Sequence, residues 1–169
     1  MQAAREHLGP PALTLLLDRQ RIVAAGRDMA PPPAERAFLA WFARRAAAGA
    51  PSLPCPEDGV PEPAFRDAYL RECRRVAGSL GVDERTRRRC RDGMSKADVE
   101  EHKSKLKRVL VEALGAAALP SIVHGSGRHP MRCGLALPPA AITFDDVRVV
   151  HGFGTWTLAS GARSSEGAA

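Results

Sequence analysis

The residues best suited to chemistry in this chain are Lys103, Ser104, Lys107 and Arg108, in the stretch HKSKLKR. On a helix Lys103 and Lys107 share a face, and Ser104 with Arg108 lies beside them. Ammonium, hydroxyl and guanidinium groups in that arrangement donate to phosphate oxygens. A second basic group, Arg128, His129 and Arg132, follows in GSGRHPMR. A plainer reading competes with this one. Glu101, Lys105, Arg108 and Glu112 also recur at three- and four-residue spacing, which is how a solvated helix face stabilises itself. Glu100 and Glu101 would repel phosphate, and neither Asn nor Gln, the adenine-reading side chains, occurs on this stretch. The denser run Arg85, Arg87, Arg88, Arg89 and Arg91 suits an anionic partner, or simply an arginine-laden surface helix.

Other chemistries are less well served. His124, His129 and Cys133 fall close together, with Cys90 and His102 elsewhere, but their spacing matches none of the usual zinc pairings. No metal and no other cofactor is expected. Glu101-His102-Lys103 has the form of the ExK half of a metal-dependent nuclease site. Such a site needs its carboxylates fixed on strands, and here the periodicity is helical. The sequence has no GxSxG elbow and no phosphate-binding glycine loop with its lysine. Nothing positions any of the 5 histidines as a general acid or base. No catalytic constellation emerges, and whether the chain is an enzyme stays open.

The elements that must position the basic residues can be read around them. Val99, Leu106, Val109, Leu110, Ala113 and Leu114 recur at helical spacing and predict one long helix from Lys96. Ser95 is its N-cap, with Asp98 as an acidic first-turn partner, and Gly115 and Pro120 stop it. Ser121 to His124 and Met131 to Leu137 then read as strands around the turn GSGRHP. A helix followed by a basic-tipped hairpin is how a winged helix ends. In that fold the last helix enters the major groove and the hairpin reaches backbone or minor groove.

The upstream chain is consistent with such a domain. Ala12 to Leu17 and Arg21 to Ala24 predict two strands about a tight turn, and Asp28 to Pro33 an extended connection. Pro33 to Ala48 predicts a helix with Phe38, Leu39, Trp41 and Phe42 on a core face and Glu35, Arg36, Arg44 and Arg45 on the other. Gly49 to Pro63 reads as a surface loop. A helix from Pro63 to Leu80 carries Phe65, Tyr69, Cys73, Val76 and Leu80 along its stripe. Asp83 caps the arginine helix, and Ile142 to Phe144 predicts a last strand. The expectation is a helix-rich α+β, winged helix-turn-helix-like domain over 12–144, with an amino-terminal strand pair and a carboxy-terminal β-hairpin wing. Residues 1–11 read as the remnant of a preceding domain or a linker, and 145–169 as an atypical, flexible tail.

Bulk properties bound the classes. A chain of 169 residues has room for one domain with a real core. Its 44% hydrophobic and 26% charged content reads as globular and soluble. The net charge of +6 suits DNA, RNA or another anion, and equally the arginine bias of a high-GC genome. No apolar run approaches the roughly 20 residues of a membrane span, so no membrane partner is expected. The four cysteines (Cys55, Cys73, Cys90, Cys133) are scattered without a CxxC pair, which predicts reduced thiols and a cytoplasmic setting.

Several stretches also resemble a known family. LTLLLDRQRIVAAGRDMAPPPAERAFLAWFARR has the layout of strands and first helix seen in response-regulator-type winged helices. AFLAWFARR, RDGM at Arg91 to Met94, HKSKLKRVLVEALG and GSGRHPMRCGLALPPAAI together resemble the carboxy-terminal part of a CRISPR-associated family. Its members carry an amino-terminal CARF domain, a Rossmann-like cyclic-oligoadenylate sensor, and are described as ring nucleases of type III antiviral systems. The similarity runs from about Gln2 to Phe144, in the family's order. It implies a non-catalytic winged-helix module serving self-association as a homodimer, docking to a CARF-domain partner or preceding domain, or nucleic-acid contact. Ring-nuclease activity would belong to the sensor, which this sequence does not contain, so none of its residues inherits that role. The departure after Phe144 points to a truncated frame, a split protein or an excised domain. The alternative is a free-standing winged-helix DNA-binding regulator.

Overall fold

In the computed structural model, residues 12–78, 81–127 and 131–145 are described. They form an α+β fold. The first sheet contains β1 (Leu13–Leu16), β2 (Arg21–Ala24), β3 (Arg27–Met29) and β7 (Ile142–Phe144), in the order β3-β2-β1-β7. Side chains alternate along β1 and β2, and Leu13, Leu15, Ile22 and Ala24 all point inward with no exposure. The expected strand pair is therefore present, but it belongs to a larger sheet. A two-residue turn at Ala25-Gly26, both with positive φ, sends the chain back as β3, where an extended connection was expected. The last strand lies parallel to β1 in the register Leu13↔Ile142.

Against this sheet packs α1 (Pro33–Ala47), started by a proline in its first turn. Its aromatic face is core, as the pattern indicated. The other face is not solvated throughout: every residue from Glu35 to Ala43 is buried. Arg36 explains how a guanidinium survives there, since it donates to the carbonyl oxygens of Gln20 and Pro31. Burial also holds its pKa below the usual arginine value. Glu35 and Arg36 are thus corrections to the amphipathic reading. The helix has the sheet on one side and two further helices on the other.

Those helices are α2 (Pro63–Ala77) and α4 (Lys96–Leu114), with α3 (Glu84–Arg89) between them in the chain. Phe65, Tyr69, Cys73 and Val76 line the buried stripe of α2; Leu80 lies outside the described residues. Asp83 caps α3 by accepting from the Thr86 amide. The Ser95 and Asp98 capping box starts α4, and Gly115 ends it. Gly93, just before α4, is required by close approach: a Cβ there would stand 2.8 Å from the Glu62 backbone. The buried stripe of α4 is Val99, His102, Leu106 and Leu110. His102 is the member that the apolar pattern hid, and it stacks on Phe38 at 5.2 Å.

The second sheet has β4 (Leu53–Pro54), β5 (His124–Ser126) and β6 (Arg132–Gly134), ordered β4-β6-β5. The expected hairpin is present as β5 and β6, antiparallel in the register Gly125↔Cys133. Its first strand takes Gly125 and Ser126 from the expected turn and shares only His124 with the expected strand Ser121 to His124. A 3₁₀ stretch, Gly115–Ser121, brings the chain to it. The segment expected to be a surface loop instead supplies β4 to this sheet, and Cys55 beyond it is bonded to Cys133. This corrects the expectation of four reduced thiols; Cys73 and Cys90 remain free and buried. The expectations for 1–11 and for the tail fall outside the described residues, apart from Asp145. The Asp145 amide donates to the Leu15 carbonyl. Among the described residues no helix is long and apolar enough to cross a membrane.

Candidate functional site

The face of α4 turned away from Phe38 borders a cleft of about 330 Å³. Glu100, Lys103, Ser104 and Lys107 form one wall; Ile122, Val123, His124 and Gly125 form the other. Three of the residues singled out from sequence thus meet at one place. The helix supplies them at i, i+1 and i+4, and the β5 edge closes the opposite side. All three β5 residues are exposed.

Lys103 is the most enclosed of these cations, with its side chain only 13% exposed. Its Nζ donates to Glu100 Oε1 at 2.8 Å. It also lies against Gly125, where a Cβ would stand 3.1 Å from Nζ and 3.0 Å from Met131 Sδ. The glycine is what lets a lysine occupy the junction of helix and strand. Lys107 and Ser104 are exposed at the cleft, and Arg108 is exposed beside them. Lys107 and Arg108 have no ion pair among the described residues.

The carboxylates that weighed against phosphate binding are matched by cations. Glu100 is held by Lys103. Glu101 accepts from Arg89, at the end of α3, and from Lys105 one turn on. The Arg89 hydrogen bond, followed by that of Lys105, pulls the Glu101 carboxyl down to a pKa of about 2. Arg89 also reaches Asp98 Oδ1 at 2.9 Å, so one guanidinium ties α3 to the first turns of α4. The other α3 arginines, Arg85, Arg87 and Arg88, have no ion pair among the described residues, and none of the α3 residues is buried.

Of the proposed members among the described residues, Arg108 and Arg132 do not line the cleft. Arg132 lies on β6, and its guanidinium donates to the Ser52 carbonyl, clamping the segment before β4. It does not line the cleft, because the β4 side of the sheet engages it. Arg128 lies outside the described residues, as does His129. The ExK triplet is dismantled by the helix: Glu101 and Lys103 pair with different partners, and His102 between them faces the aromatic core. There, burial lowers the His102 pKa to about 4, and its Nδ1 has no hydrogen-bond partner among the described residues. Among the described residues no group of three or more His, Cys, Asp or Glu is placed to hold a metal, and Cys133 is taken by its disulfide.

Sequence reasoning missed the backing of the cleft. Gly125 and the Cys55–Cys133 bond behind it depend on partners far along the chain; only the HGSG run hinted at a close approach. No family model, no curated protein and no solved structure matches this chain.

Proposed function

We propose that this chain is a non-catalytic winged-helix module that holds a nucleic-acid backbone between α4 and the β5–β6 hairpin. The observation that carries the reading is the convergence of Ser104, Lys107 and His124 on one cleft, with Arg108 exposed next to Lys107 on α4. A phosphate there meets a hydroxyl, an ammonium and an imidazole, with a guanidinium within the same turn of helix. The α3–α4 pair takes the place of the helix-turn-helix and β4-β6-β5 that of the wing. Lys103, engaged by Glu100, acts as a backing charge and not as a direct donor.

The lack of Asn or Gln on α4 favours backbone contact over base reading, which ranks a sequence-reading, free-standing regulator second. The biological setting follows the motif resemblance alone: a CRISPR-associated antiviral protein signalling through cyclic oligoadenylates. In that setting the module would serve a CARF sensor, in the same polypeptide or as a partner, or a second copy of itself.

The test is the salt dependence of binding to short labelled duplex DNA and RNA, followed by fluorescence anisotropy. Affinity is expected to fall steeply with added salt. Lys107→Glu with Arg108→Glu is expected to flatten the log–log slope by about two, roughly one for each phosphate-binding cation removed. Binding that ignores salt, or a slope that survives the double variant, would overturn the reading.

A further inference from the structure

We propose that the Cys55–Cys133 bond is a thiol-exchange site at which a dithiol reductant opens the cleft between α4 and β5. The inference rests on the function proposed above for the cleft, but not on the identity of the nucleic acid. Cys133 lies in β6, the middle strand of the second sheet, directly across from Gly125 in the cleft wall. Its bonded partner, Cys55, follows β4, the two-residue strand on the other side of β6. One of those two residues is Pro54, which has no N–H to give to the ladder. Without β4 the hairpin is a two-stranded ribbon with an exposed outer strand, and such ribbons are marginal in water. The bond therefore fastens the wall against which Lys103 and a bound phosphate rest.

The other two cysteines leave this pair as the exchange partner. Cys73 and Cys90 are buried, and burial pushes the Cys73 thiol up to about 12 and raises Cys90 as well. Both stay protonated and unreactive at neutral pH. Both bonded cysteines are buried, Cys133 at 0% and Cys55 at 9% exposure, so attack on the Cys55 sulfur follows a local opening of the two-residue β4 that precedes it. A thiolate of the dithiol bonds to Cys55 Sγ, the Sγ–Sγ bond breaks, and Cys133 leaves as a thiolate that takes a proton. The second thiol of the reductant then displaces Cys55. The products are two protein thiols and one oxidised, disulfide-bonded reductant. The large sheet and α1 contain neither cysteine, so the core remains while the wall loosens.

The experiment compares the full chain before and after dithiothreitol, with iodoacetamide labelling and mass spectrometry to count free thiols. It reads duplex affinity, far-ultraviolet circular dichroism and amide exchange. Reduction is expected to weaken binding about tenfold, because side chains and wall must then be ordered on binding. Exchange should rise in 124–126 and 132–134 while α1 stays protected, and the helical signal should persist. Cys55→Ser with Cys133→Ser should behave as the reduced protein whether or not reductant is present. Unchanged affinity and exchange after verified cleavage would overturn the proposal, as would loss of the whole fold on reduction. If no duplex binds in either state, the nucleic-acid reading fails on its own. The exchange data then decide the lock: faster exchange confined to the second sheet supports it, and unaltered exchange refutes it.

Discussion

The two sheets solve the same problem by different means. The first turns Leu13, Leu15, Ile22 and Ala24 inward with no exposure, so burial is the main hold on its strands, with an exposed Arg21–Asp28 ion pair between β2 and β3. The second offers the core Cys133 from β6, while all of β5 faces outward, and it is fastened by a disulfide and by the Arg132 clamp on Ser52. A sheet with little to bury has its polar edge available for a ligand, and the fastening compensates for what burial does not supply. The difference places stability in one region and the candidate site in the other.

The largest expected effect tests that division directly. Phe38 touches Trp41, Phe42 and His102 at the junction of α1 and α4. Phe38→Ala is expected to lower stability by about 3–5 kcal/mol, and Leu53→Ala, in half-buried β4, by about 1 kcal/mol. Urea denaturation measures both. Equal losses would show that the second sheet belongs to the same cooperative core.

Acid should act first where α1 meets α4, with His102 stacked on Phe38. The His102 pKa is lowered from 6.5 to about 4, chiefly by burial, with Arg89 as the next cause. The unfolded chain therefore binds the proton first. Stability is fully present above pH 6.5 and declines as pH falls toward 4, by about 3 kcal/mol from this one group. His102→Phe should remove that part of the pH dependence. Asp98 and Glu101 add their own acid sensitivity at lower pH, since both carboxyls are held below their usual values. A denaturation series at several pH values separates the two windows. An unchanged slope between pH 6.5 and 4 in the variant would reject the role of His102.

What the sequence revealed divides along the same line. The α4 cap was legible because Ser95 and Asp98 are three residues apart and satisfy each other locally. The stripe of α2 and the β1–β2 pair were legible from period alone. Illegible were β3, β4 and the parallel pairing of β7, each a few residues long and defined by a partner elsewhere. The disulfide joins cysteines separated by 78 positions, which no local pattern encodes. Glu35, Arg36 and His102 were misread or missed because polarity suggested solvent, whereas helices packed on several sides bury polar groups too. Of the site, Lys103, Ser104 and Lys107 came from helix spacing and the facing hairpin from its turn chemistry, but β4 and the disulfide behind that hairpin did not.

The smallest expected effect sharpens the comparison most, because it separates affinity from stability. Arg89 is 43% exposed, and ion pairs at that exposure contribute little, so Arg89→Ala should lower stability by about 1 kcal/mol or less. The same change takes from Glu101 the cation that engages it across the α3–α4 turn and leaves only Lys105. The helix face beside Lys107 then carries more negative potential, which opposes an approaching phosphate. Duplex affinity is expected to fall about threefold at low salt and to converge with the unaltered protein as salt screens the charge. Glu101→Gln placed on Arg89→Ala should restore binding, since it removes the exposed carboxylate without rebuilding the ion pair. A melting temperature that drops by many degrees in Arg89→Ala, or affinity that the second substitution leaves unrestored, would mean that Arg89 positions α4 instead of masking its charge.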